Sequence, residues 1–264
     1  MTQRISQVLQ QLEQQHQVRV LLAVESGSRA WGFASSDSDW DIRFIYVHPV
    51  PWYVSVVTRR DVIECMLDDR QLDLSGWDLR KALALLRKSN PSLHEWLHSP
   101  IIYQQDQTFM QRITALEGDY FNPRAAFHHY LHIAINHNER YLQRHGVQLK
   151  RFLYFLRGLL ACQWVATRRT TPPVLFSDLV DATVNDNSVR HAIGVLLQLK
   201  QTSKEHNNQP VDPYLIDYAN QLSAQFNDLD TPPDRKAQGD TLPLDTLLLD
   251  MATATCPHPI TIQQ

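Results

Sequence analysis

The stretch ESGSRAWGFASSDSDWDIRFIYV, residues 25–47, sets a Gly27-Ser28 pair ahead of Asp39-Trp40-Asp41, and the second aspartate leads an apolar, β-prone run. Successive side chains of a strand point to opposite faces. Asp39 and Asp41 therefore project the same way, about 6.6 Å apart, while Trp40, Ile42 and Phe44 turn toward a core. Two carboxylates about 4 Å apart repel by roughly 4 kcal/mol at an effective dielectric of about 20, and a cation between them removes that cost. Hard oxygen ligands suit Mg²⁺ or Mn²⁺, ions that share their shell with substrate phosphates. A strand that ends in Gly-Ser and enters a short helix leaves backbone N–H groups and a hydroxyl aimed outward, where phosphate binds. Taken singly, GS is an ordinary turn and SDSDWD a solvated loop; it is their combination that points to chemistry.

The elements that must position these residues follow from periodicity. RVLLAVES (19–26) is a buried strand running into the glycine, and WDIRFIYV (40–47) is a second strand stopped by Pro49 and Pro51. Residues 60–67 and 71–75 are short β segments, and residues 3–14 form a helix. Over 77–88 the spacing turns helical, with Leu79, Ala82, Leu83 and Leu86 on one face, and Asn90-Pro91 opens a short helix that Pro100 ends. From Phe121 onward apolar residues recur at helical spacing over 123–145, 147–168, 186–205 and 211–228. The expected architecture is α+β: a mixed β-sheet flanked by helices over 1–120, and a C-terminal helical domain over 121–230. A linker and tail follow over 231–264, containing the amphipathic piece LPLDTLLLDM. A cleft between the first two parts is the natural place for a site.

The helix expected over 147–168 carries Lys150, Tyr154 and Arg157 at i, i+4 and i+7, on one face. Two cations facing the cleft suit a triphosphate; a solvated basic face of a packing helix has the same spacing. Arg29, directly after the Gly-Ser pair, is equally well placed to meet phosphate or acceptor and to pair with Asp37.

The chain of 264 residues is 43% hydrophobic, enough to fill a core, and its formal charge of −3 supplies no global attraction to a polyanion. Cys65, Cys162 and Cys256 are far apart with no C-x-x-C pair, so neither a disulfide framework nor a cysteine zinc site is suggested. The N-terminus is polar and Gln-rich, and no run approaches the ~20 apolar residues of a membrane span, so a cytoplasmic protein with no membrane partner is expected.

A rival motif lies at 94–98, where His94-Glu95-Trp96-Leu97-His98 fits H-E-x-x-H, with Glu117 near the position of a third zinc ligand. Pro91 and Pro100 leave that helix about two turns where a zinc peptidase uses a long buried one, and Glu117 lacks the usual preceding Asn. His128, His129, His132 and His137 form a second cluster, with no carboxylate or Cys at ligand spacing. P-loop, Rossmann and nucleophile-elbow motifs do not occur.

An apolar strand, Gly27-Ser28, a spacer over 29–38 and Asp39-x-Asp41 opening a second strand resemble the signature of the DNA polymerase β-type nucleotidyltransferase superfamily. More narrowly, GSRAWGFASSDSDWDIR, DLSGWDLRKAL, KSNPSLHEWLHSP and LKRFLYFLRGLLACQWV, in this order, resemble the family called RNA repair pathway DNA polymerase β family proteins, across roughly residues 18–230. The resemblance implies a nucleotidyltransferase-type sheet and metal-dependent transfer of a nucleoside monophosphate from an NTP to an acceptor hydroxyl, an RNA end being the acceptor the family name suggests. It implies that Asp39 and Asp41 bind Mg²⁺ or Mn²⁺ with a third acid on a neighbouring strand, and that Gly27 and Ser28 hold the β- and γ-phosphates. Asp73, flanked by apolar Leu72 and Leu74, is preferred as that acid, but Glu64, Asp68 and Asp69 lie nearby and strand register is not readable from sequence. A non-catalytic nucleotide- or RNA-sensing module would share the fold; it predicts a damaged acidic site, which Asp39, Asp41 and Asp73 argue against.

Overall fold

Strand β1 (Arg19–Glu25) follows helix α1 (Thr2–His16) and leads through a single turn of helix, α2 (Gly27–Ala30), and a loop to β2 (Trp40–Val47). In the computed structural model, which describes residues 1–67, 71–141, 149–202, 211–227, 232 and 240–255, these open a five-stranded sheet. After α3 (Val50–Tyr53) come β3 (Val62–Leu67) and β4 (Leu72–Asp78). Helices α4 (Leu79–Leu86) and α5 (Pro91–Leu97) precede β5 (Ile102–Gln105), and α6 (Gln107–Tyr120) closes this part. The strand order is β3-β4-β2-β1-β5; β2 and β4 run parallel, and every other pair is antiparallel.

Alternation along β2 and β4 sorts their side chains. Ile42, Phe44 and Tyr46 of β2, with Leu72 and Leu74 of β4, pack beneath Ile5, Leu9 and Leu12 of α1. On the opposite face Ile45 and Val47 are covered by Leu79, Leu83 and Leu86 of α4, Leu93 of α5 and Phe109 of α6. Gly76 lets β2 and β4 pack this closely: a Cβ there would lie 2.1 Å from the Phe44 ring. The same opposite face at the N-terminal ends of β2 and β4, where Asp41, Arg43, Asp73 and Ser75 stand, is left half-buried rather than roofed.

The second core belongs to α7 (Pro123–Tyr141), α8 (Leu149–Arg168), α9 (Phe176–Thr183), α10 (Asn187–Thr202) and α11 (Pro213–Asn227), which surround Phe152, Phe155, Leu156 and Leu159 of α8. Phe33, from the loop after α2, is buried in this helical core and so ties the two bodies together beside the Gly-Ser turn. The expected segment 231–264 contains α12 (Leu242–Ala254), and this helix packs onto the sheet body: Leu244, Leu247 and Met251 join the core there, and Arg19 donates to the Met251 carbonyl at 3.2 Å.

Strands 19–25 and 40–47 lie where periodicity puts them. Four elements carry no such expectation: α3, one turn that starts just after Pro49, β5, a four-residue edge strand with exposed ends, α6, started by the Asp106 side chain accepting from the Phe109 N–H at 2.9 Å, and α9, eight residues just after Pro172-Pro173. Short edge strands and single-cap helices leave little periodic signal. Among the described residues no helix is long and apolar enough to cross a membrane.

Candidate active site

Parallel pairing of β2 with β4 sets Asp41 opposite Asp73, and Arg43 opposite Ser75. Neighbouring strands lie about 4.8 Å apart, so the two carboxylates stand side by side on one face. Glu64 sits one strand farther out, opposite Ser75 on β3, where its carboxylate pairs with Arg60 on the exposed edge. Asp68 and Asp69 lie outside the described residues. Asp39 precedes β2 and is exposed at the rim.

Arg43 links the pair. Its Nη2 donates to Asp73 Oδ2 at 2.8 Å and to Asp41 Oδ1 at 3.2 Å, while Nη1 donates to the carbonyls of Ile42 at 3.1 Å and Asp73 at 3.2 Å. Sequence reasoning passed over this residue, although the period that aligns 39 with 41 also aligns 43.

The Gly27 turn abuts Asp41. Ser26 N–H donates to the Asp41 carbonyl at 2.8 Å, and Gly27 adopts φ +62 with the space of its missing Cβ 2.6 Å from Asp41 Oδ2. Ser28 is buried behind the turn. Arg29 braces the loop that delivers the aspartates, donating to the carbonyls of Ser38 at 2.6 Å and Asp39 at 3.0 Å with its guanidinium 3.9 Å over the Trp40 ring. Buried Lys200 of α10 reaches the other end of this loop, donating to Ser35 Oγ at 3.0 Å.

A cavity of about 800 Å³ opens over the sheet face, lined by Asp41, Arg43, Asp73, Ser75 and Trp77 of the sheet, by Gly27 of the turn, and by Trp31, Glu95, Trp96 and Tyr154 from the helices and loop around it. Of the cations expected on α8, Lys150 is close enough for its charge to favour ionised Asp41. Arg157 lies behind the wall, its Nη1 donating to Glu95 Oε1 at 2.8 Å and its guanidinium 4.3 Å from the Trp31 ring centre. Tyr154, on the same helix, meets the Trp31 ring edge-on at 4.7 Å.

Burial raises the pKa of Asp41; Arg43 pulls it down, Asp73 and Asp39 push it up, and Lys150 pulls it down. Beside it Glu25, buried at the end of β1, is also raised chiefly by burial, although Tyr103 donates to its Oε2 at 2.5 Å and the Asp41 N–H to its Oε1 at 2.9 Å. Neither Glu25 nor the tryptophan wall carries a local signal in the sequence.

The H-E-x-x-H residues are engaged elsewhere. His94 Nδ1 and His98 Nε2 donate to the two oxygens of Glu117 at 2.5 and 2.7 Å, and Glu95 is taken up by Arg157 and by Trp31 Nε1 at 3.1 Å. His128 and His132 are exposed on α7, His129 is half-buried, and the His137 side chain lies outside the described residues. Among the described residues no group of three or more His, Cys, Asp or Glu side chains is gathered for a metal ion. What the sheet gathers is a pair, Asp41 and Asp73, with a cation already between them. That donor set, two half-buried carboxylates in register and an Asp41 whose ionised form needs a positive neighbour, is chemically suited to a hard divalent ion.

The model of the RNA repair pathway DNA polymerase beta family matches residues 1–250. The chain is also 44% identical over 205 residues to the uncharacterized protein YcgL of Bacillus subtilis (strain 168), an alignment that covers 78% of each chain.

Proposed function

Because the chain belongs to the RNA repair pathway DNA polymerase beta family, we propose that it is a nucleotidyltransferase that moves a nucleoside monophosphate from an NTP to an acceptor hydroxyl, the acceptor being an RNA end. The observation that carries this reading is the in-register Asp41–Asp73 pair facing a cavity beside the Gly27 turn.

In the reaction the acceptor oxygen bonds to the α-phosphorus, the α–β phosphoanhydride bond breaks, and pyrophosphate leaves. Mg²⁺ or Mn²⁺ held by Asp41 and Asp73, with Asp39 at the rim, would supply charge neutralisation for the triphosphate and alignment for the acceptor hydroxyl. Asp73 takes the hydroxyl proton. The backbone of Gly27 and the Ser28 segment hold the β- and γ-phosphates, and Lys150 adds positive charge. Trp31, Trp96 and Tyr154, with Trp77 of β4, shield the site from water and offer flat faces for a base. Arg29 acts one step back, holding residues 38 and 39 in place. Arg157, neutralised by Glu95, supports the wall.

The test is incubation with each labelled NTP, Mg²⁺ or Mn²⁺, and RNA with a free 3′ hydroxyl. Labelled RNA and released pyrophosphate are expected, both falling at least about a hundredfold in Asp41→Asn and in Asp73→Asn. NTP binding without pyrophosphate release for any acceptor would overturn the reading in favour of a sensing module.

A further inference from the structure

Arg43 has a role that follows from the geometry of the acid pair, and the inference rests on the metal-dependent reading above. Asp41 and Asp73 face each other across neighbouring strands, and like charges directly opposed in a sheet repel. Their side chains are only 32% and 29% exposed, so water screens them poorly. One nitrogen, Arg43 Nη2, satisfies both, giving one hydrogen to each carboxylate. This is not the two-pronged fork of an ordinary Arg–carboxylate pair, in which both oxygens of one acid are used. It is the bridging position of a single cation. Nη1 is fixed to two backbone carbonyls of the same strands, so the guanidinium is anchored in the sheet.

Arg43 and a divalent ion would meet at the same pair of carboxylates. Asp41 Oδ2 points to the Gly27 turn, with 2.6 Å to the position a Cβ would take, and Oδ1 is the oxygen turned to Arg43. An ion held between Asp41 and Asp73 would contend with Nη2, which bonds one oxygen of each, and a positive guanidinium about 3 Å away would oppose its entry.

We propose that Arg43 is a built-in competitor of the divalent ion: it holds Asp41 and Asp73 together in the metal-free site and must give up both carboxylates for the ion to bind. Release would free its donors for the cavity it already lines, toward the anionic part of the proposed nucleotide. The arrangement keeps the acid pair folded without metal and couples its loading to substrate capture.

Mn²⁺ binding to the full-length protein without nucleotide, followed by electron paramagnetic resonance of the free ion, tests this independently of turnover. Arg43→Met is expected to bind Mn²⁺ about tenfold more tightly than wild type. Its metal-free melting temperature should fall and should recover more on Mn²⁺ addition than that of wild type. Arg43→Lys, which keeps the charge, should bind Mn²⁺ about as wild type does. Equal or weaker Mn²⁺ binding by Arg43→Met overturns the proposal, showing an arginine that helps to hold the ion or ignores it. If Arg43→Met does not fold, Arg43→Gln, which keeps donors without the charge, is judged by the same criterion. Asp41→Asn separates the two readings: Mn²⁺ affinity unchanged in that variant would mean that no ion uses the pair, and the metal-dependent function would fail with it. Loss of Mn²⁺ in Asp41→Asn together with unchanged affinity in Arg43→Met would sink the competitor role alone.

Discussion

Arg157 of α8 and Glu95 of α5 meet at 2.8 Å with side chains only 5% and 13% exposed, so one ion pair joins the helical body to the sheet body directly behind the cavity wall. Glu95 also accepts from Trp31 Nε1 at 3.1 Å, which extends the tie to the chain just after the Gly27 turn. A buried charge stripped of its partner is expensive, whereas removal of both charges is often tolerated. Glu95→Ala should therefore destabilise the protein by about 3–5 kcal/mol, and the double variant Glu95→Leu/Arg157→Met by much less. Urea unfolding of the single and double variants measures both. Similar losses in Glu95→Ala and in the double variant would show that the pair contributes packing rather than charge balance.

The Glu117 carboxylate braces α5 against α6 and should make stability depend on pH. Burial alone would raise its pKa, but hydrogen bonds from His94 and His98 outweigh burial and bring it from 4.5 to about 2. Its contribution is present above 4.5 and is lost as pH falls toward about 2. His98 is shifted the other way: the hydrogen bond to Glu117 raises it from 6.5 against the opposing effect of burial. Its contribution is complete below 6.5 and is lost as pH rises through the raised value. The brace is thus strongest between the two unperturbed values. Urea midpoints across the pH range should show a plateau there, and His98→Gln should remove the alkaline fall while leaving a smaller acid one, held by the bond from His94. An alkaline limb unchanged in His98→Gln would assign that limb to another group.

The reach of sequence reasoning here follows the range of the interactions. Residues 40–47 form a strand because their alternation is local, and the same alternation puts Asp41 and Arg43 on one face. The pairing of Asp41 with Asp73 is not local. It depends on β4 entering parallel to β2 in one register, which a slip of one residue would reverse, and nothing within 71–78 encodes the partner. Arg157 makes the same point on a helix. Its spacing from Lys150 puts both on one side of α8, but α5 supplies Glu95 at one end of that side only, so the two cations have different surroundings. The H-E-x-x-H spacing is likewise real in the sequence, and tertiary packing joins its histidines to Glu117 and its glutamate to Arg157.

Glu25 lies buried between Tyr103 and the Asp41 backbone, and burial raises its pKa. Any stability linked to its protonated form is present below 4.5 and lost as pH rises through the raised value. Glu25→Gln retains an oxygen for the Asp41 N–H and removes the charge. The variant should equal wild type in acid and gain up to about 1 kcal/mol above neutral pH, with nucleotide transfer preserved to within severalfold. Urea midpoints at pH 5 and 8 test the first part. A deeper loss of transfer without loss of stability would move Glu25 from support of the site into the site itself.

Gly27 offers the sharpest single substitution. Its φ of +62 lies in the left-handed region, where an L side chain costs roughly 1–2 kcal/mol, and the added methyl of Gly27→Ala would lie 2.6 Å from Asp41 Oδ2. The methyl can be accommodated by rotation of the Asp41 carboxylate away from the turn, which moves it out of line with Asp73, or by a shift of the turn itself, which moves the N–H groups proposed to hold phosphate. Either way the fold survives at a cost of about 1–3 kcal/mol, because the strands and helical cores on both sides are untouched. Nucleotide transfer should fall at least about a hundredfold, more than the stability loss accounts for. Parallel measurement of the melting temperature and labelled-NTP turnover separates the two effects. A Gly27→Ala protein with wild-type turnover would show that neither Asp41 nor the turn needs its present position.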